Sequence, residues 1–178
     1  RALAAAEYDR ERLAEVLNNV AQVLHDMGRH ATALRGFGAV VNRTRSPRLV
    51  LAALGGAALA AAALGATEIV AAAGDRIVRL GPVEWPYPHA VALLDLADAY
   101  AALGERARAD TFRAHAHSLA EANGFHELAY RAERAPARPE PRAADGPLGP
   151  SAVELVSKVE SLDAPRDLCM AGGRGVDQ

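Results

Sequence analysis

The chain has 178 residues, of which 51% are apolar and 24% charged, with a formal net charge of −2. That is the make-up of one globular domain with a tail, and it supplies no field to draw nucleic acid or an anionic membrane. The apolar half is mostly alanine, with only 3 Phe, 1 Trp and 4 Tyr, so a core has to come from close helix approach over small side chains.

Three glycines, Gly28, Gly65 and Gly104, each close an alanine- and leucine-rich stretch, at intervals of 37 and 39 residues. A period of that order in an all-helical pattern is the mark of stacked helix-turn-helix units that bury their apolar faces on one another. The spacing predicts a first helix over 10–27, with Leu13, Val16, Leu17, Val20, Ala21 and Leu24 on its inner face. Gly28 then supplies the left-handed residue that ends it. A second helix is expected over 30–42, inner face Ala33, Leu34, Phe37, Val40 and Val41. Ser46-Pro47 opens a third that runs to Leu64, since serine caps helices and proline is tolerated in the first turn. A fourth is expected over 66–80, weakened by Gly74 by about 1 kcal/mol. Residues 81–88 carry three prolines and read as a connecting loop. The pattern resumes over 89–103 with Leu93, Leu96, Ala97 and Tyr100 as its main stripe, continues over 106–122, and ends in a short helix over 125–135.

Residues 49–66 are 18 in a row without a charge, which raises a membrane span. Twelve of them are Ala or Gly, and leucine and valine favour the bilayer by only about 0.3–0.6 kcal/mol each. A helix covered on both sides inside a stack explains the segment better. Residues 1–135 therefore form the folded domain. Six of the 10 prolines fall after residue 135, and 136–178 reads as a mostly disordered tail with one short helix at 151–162, opened by the capping box Ser151-Ala-Val-Glu154.

With the three glycines aligned, Leu17, Val20, Ala21, Leu24, Gly28, His30, Ala33, Phe37 and Val40 match the large-small-large pattern that resembles tetratricopeptide repeats. Leu93, Leu96, Ala97, Tyr100, Gly104 and Ala109 repeat it, and Leu54, Ala57, Ala58, Gly65 and Pro82 do so more weakly. Gly74 and Arg113 stand where the family has a bulky aromatic, with Phe112 placed to substitute for the latter. The resemblance implies an all-α fold, antiparallel hairpins stacked as a short solenoid of about three repeats plus a terminal helix. It also implies a concave groove lined by the first helix of each hairpin. The groove positions fall on Glu15, Asn18, Asn19, Gln22, His25 and Asp26, then on Ala52, Gly55, Gly56 and Leu59, then on Val91, Leu94, Asp95 and Asp98. Of these, Asn18, Asn19, Gln22, Leu59, Leu94, Asp95 and Asp98 are taken as partner-binding. The set has no Lys or Arg to clamp a terminal carboxylate. It suits instead a protein or peptide partner with an apolar middle and a basic or donor-bearing end.

Chemistry finds little footing. His115 and His117 diverge by about 200° on a helix, and His25 and His30 are separated by a glycine turn. No HExxH, Cys–His pair or glycine-flanked serine elbow occurs. No metal, cofactor or catalysis is expected, and no direct contact with nucleic acid or membrane. The lone Cys169 fits a reducing compartment, so the setting is read as cytoplasmic. The chain opens on Arg1 with no initiator Met, and is expected to be part of something longer. The leading reading is a non-enzymatic interaction module, able to form a homo-oligomer through exposed stack ends. The alternative is a sensor segment of a larger bacterial ATP-dependent transcription regulator or signalling kinase.

Overall fold

The computed structural model describes residues 2–82, 84–134 and 150–161. Among the described residues the protein is all-helical, without strands: α1 (Ala2–Asp26), α2 (His30–Arg43), α3 (Pro47–Ala63), α4 (Thr67–Leu80), α5 (Pro86–Ala102), α6 (Arg106–Ala122), α7 (His126–Glu133) and α8 (Pro150–Glu160). The expectation of a disordered tail lies outside the described residues except at α8, which begins one residue before the stretch read from the sequence. Among the described residues no helix is long and apolar enough to cross a membrane, and residues 49–63 of the uncharged stretch lie in α3.

The turns explain the repeat. At Gly28 φ is +75°, a conformation that costs other residues a Cβ clash. There the Arg29 N–H reaches back to the Leu24 carbonyl at 2.8 Å while the Gly28 N–H bonds the His25 carbonyl at 2.9 Å, which satisfies carbonyls the helix end would leave open. The same pair of bonds recurs around Ala61–Ala66, Tyr100–Glu105 and Ala120–Phe125. Each time the next helix starts two residues after the glycine.

Neighbouring helices stack in series. α1 packs on α2, α3 on α4, α5 on α6 and α6 on α7, and α2 and α4 also pack on the helices that follow them. The odd-numbered helices touch as well, α1 with α3, α3 with α5 and α5 with α7, whereas α1 and α5 are separated by α3. Ala21, Ala33, Ala58 and Ala97 are fully buried, and Ala109 is 1% exposed. These small side chains let the helix axes approach within about 8–10 Å. Phe37, Leu51, Leu54, Ile77, Leu94 and Leu96 fill the remaining space.

Three sequence expectations change here. α1 is one helix from Ala2, and its buried face is Ala14, Ala21 and Leu24, while Leu13 and Val16 point to solvent. α5 begins at Pro86 rather than near His89, because the first turn of a helix has no use for the N–H that proline lacks. The connection between α4 and α5 is shorter than expected accordingly. Ser46 occupies the cap position of α3 without a side-chain cap bond. Thr44 Oγ1 instead anchors the approach to α3, donating to Glu11 Oε2 at 2.5 Å and accepting from the Ser46 N–H at 3.0 Å.

Candidate protein-interaction surface

The surface begins at the side where α1, α3, α5 and α7 adjoin. On α1, Glu15 forms an ion pair with Arg48 at the start of α3, and Glu11 accepts the Arg45 N–H at 3.1 Å. These contacts fix the first two odd helices side by side. Asn19 and Gln22 are exposed beside them, and Gln22 Nε2 donates to Asp26 Oδ1 at 3.1 Å. Asn18 is half-buried, and its Oδ1 has no hydrogen-bond partner among the described residues.

On α3, Ala52 is exposed and Leu59 half-buried, but the two glycines expected in the groove are covered. A Cβ at Gly55 would lie 2.7 Å from Oδ2 of Asp95, and one at Gly56 would lie 2.5 Å from Cε1 of Phe37. Gly55 thus admits α5, and Gly56 admits α2. Neither can present itself to a ligand. Leu94 is 2% exposed, so it belongs to the core and is withdrawn as a partner-binding residue. The helix that carries it is covered on several sides, and the 3.6-residue period leaves room for only a narrow outward edge.

That edge carries Asp95 and Asp98, and the structure supplies them with cations that the sequence reading missed. Arg131 Nη2 of α7 lies 3.0 Å from Asp95 Oδ1 and 3.4 Å from Asp98 Oδ2, while Arg113 Nη2 of α6 lies 3.3 Å from Asp98 Oδ1. Arg113 also reaches Asp110 at 3.5 Å. Burial raises the Asp95 carboxyl above its ordinary range, with Arg131 opposing the shift. Desolvation pulls Arg131 down, but Asp95 and Asp98 outweigh it and hold the guanidinium more firmly protonated. With the exposed Asp110 counted, three aspartates and two arginines leave this end of the face far less acidic than the aspartates alone would make it. The expectation of an acidic, cation-free groove is corrected accordingly. The signal available was Arg113 itself, an arginine at an aromatic position on a helix next to an i, i+3 aspartate pair. Phe112 takes the aromatic role and stacks on Tyr100 with ring centroids 5.5 Å apart.

The predicted residues therefore separate into two groups. Asn19, Gln22 and the half-buried Asn18 line α1. Asp95 and Asp98 form an inter-helix ion-pair network two helices away, and Leu59 sits between the groups. Histidines do not converge on a metal, and no cluster of three or more His, Cys, Asp or Glu suited to one exists among the described residues. Two rings pair instead, His25 Nδ1 and His30 Nδ1 at 3.1 Å. His89, 4% exposed, leaves Nδ1 without a partner among the described residues. Comparison with protein-family models, with curated proteins and with solved structures gives no match.

Proposed function

We propose that this chain is a non-catalytic protein-interaction module, a short tetratricopeptide-like stack that takes a partner peptide or helix along the side where α1 and α3 adjoin. The observation that carries the reading is the exposed amide pair Asn19 and Gln22 on α1, which packs on α3, the helix that carries the exposed Ala52 and the half-buried Leu59. Amides supply donors and acceptors to a polypeptide backbone, and the α3 edge supplies the apolar strip that a helix or extended segment lays against. The recurrent glycine turns and the small residues at helix crossings support the solenoid part of the reading, since both are what serial hairpins require. Arg131 and Arg113 make the α5 end far less acidic, so recognition falls to hydrogen bonding and apolar contact more than to a basic partner terminus.

The test is a peptide selected against the purified chain, then titrated against the variant Asn19→Ala/Gln22→Ala with helicity checked by circular dichroism. Loss of two hydrogen-bonding side chains at about 0.5–1.5 kcal/mol each predicts a fall in affinity of roughly five-fold or more. Unchanged affinity overturns the assignment. Asp98 is deliberately retained, because its removal strands Arg113 and Arg131 and confuses binding with folding.

A further inference from the structure

Leu13, Val16, the half-buried Val20 and Val23 on α1, then Met27 one residue past its end, succeed one another at alternating steps of three and four residues, the spacing of a coiled-coil seam. Leu13, Val16 and Val23 are 62%, 58% and 56% exposed. At about 100° per residue the middle of the stripe lies across the helix from Gln22, while Asn19 stands on the border between this face and the one assigned to a peptide. α2 and α3 cover other sides of α1, and α8 packs on α2, burying Val156 and Val159 while leaving these three side chains open.

We propose that this face binds the same face of a second copy of the chain, the two α1 helices running antiparallel about a two-fold axis near the level of Asn19. Three observations single out that occupant. First, the seam is self-complementary in register: Leu13 meets Val23 of the second copy and Val16 meets its Val20, each layer occurring twice by symmetry, as an isologous interface demands. Second, that register sets Arg12 of each helix beside Asp26 of the other, at the flanking positions where opposite charges select orientation. Among the described residues the contacts of Arg12 are with the neutral Tyr8, its guanidinium 5.7 Å from the ring centroid and its Nη1 donating to the hydroxyl at 3.4 Å. A parallel pairing would put Arg12 against Leu17 and give Asp26 no cation. Third, the next layer carries Met27 of the second copy to Asp9, over a shallow depression of about 520 Å³ lined by Asp9, Arg10, Leu13, Asn42 and Arg43. Methionine is the side chain that fills an irregular hollow most readily. The seam spans about 21 Å of helix, small for a specific interface, so the dimer dissociates on dilution.

Sedimentation of the 178-residue chain from micromolar to near-millimolar concentration tests this. A monomer–dimer equilibrium is expected. Val16→Glu should weaken it by more than about ten-fold, because an unpaired buried carboxylate costs more than the ~1.4 kcal/mol that corresponds to that factor; Val16 faces solvent in the single chain, so the variant keeps its helix content. Arg12→Glu and Asp26→Arg should each weaken dimerisation, and the double variant should restore it. A chain that remains monomeric throughout, a dimer indifferent to Val16→Glu, or a double variant no better than the single ones overturns the proposal.

Discussion

At Gly56 the ring of Phe37, itself fully buried, occupies the space a Cβ would need, with Cε2 2.9 Å away. The ring cannot retreat, so Gly56→Ala should lower stability by about 1–3 kcal/mol in chemical denaturation despite alanine's better helix propensity. Gly74 makes the contrast. Its Cβ would meet the ends of Leu96, 3.1 Å at Cδ2 and 3.4 Å at Cδ1, with the Tyr100 hydroxyl at 3.7 Å; a few tenths of an ångström of give at a flexible leucine suffices, so Gly74→Ala should fall within about 1 kcal/mol of the parent. A substitution pair with the opposite order would refute the packing described. Neither close approach is legible in the sequence, where Gly74 reads as a helix weakener and Gly56 as a groove position. Asp95 and Arg131 behave differently again. Arg131→Met removes the nearest cation from a carboxylate only 16% exposed, and should cost about 1–2 kcal/mol after allowing for the water around the arginine. In an Asp95→Asn background the same change should cost less, which a double-mutant cycle measures. The aspartate pair was visible as i, i+3 spacing, but its cations come from helices 15 and 33 residues further on, a distance over which periodicity carries no information.

Elements were the most legible scale, and for a physical reason: alanine-rich runs with glycine stops leave few alternatives to helix. The second helix was read to within one residue and the sixth at both ends, because Gly28 and Gly104 fix where each begins. The start of α5 was missed because three prolines within residues 81–88 suggest a loop, whereas Pro86 and Pro88 both sit in a first turn. The outward turn of Leu13 and Val16 was missed because a helix wheel shows an apolar arc without showing how much of it has a neighbour. Two junctions between elements should respond to pH. Burial, then the neighbouring His30, lowers the pKa of His25 below its ordinary 6.5. Burial likewise lowers that of His89, against a hydrogen bond to the Gly81 backbone that works the other way. A folded-state pKa below the unfolded value means that the unfolded chain takes up the proton first. Stability from these groups is therefore complete above about pH 6.5 and declines as pH falls through and below that value. Asp95, with its pKa raised from 3.8, acts in the opposite sense, since the folded form then binds the proton more readily. Melting temperature should accordingly fall between about pH 7.5 and 5.5, and His89→Leu should flatten the slope. A flat profile in the parent protein would contradict the burial of these rings.

Over the whole molecule, local rules determine the hairpins and non-local contacts determine what the surface offers. Glycine spacing was enough to anticipate consecutive helix pairs, and small residues at crossings enough to anticipate close packing. Which polar side chains remain available was not. That depends on Arg131 and Arg113 reaching back to α5, and on Asp95 closing over Gly55, contacts made by chain segments far apart in sequence. For the proposed partner site the consequence is a shift toward α1 and α3, away from an α5 edge already occupied by its own ion pairs. Direct mapping of the partner decides the matter. A photocrosslinking residue placed at Gln22, and separately at the exposed Asp75 of α4, is irradiated with the selected peptide bound. The account predicts a crosslink from position 22 and none from position 75; labelling at position 75 alone, or equally at both, would contradict it.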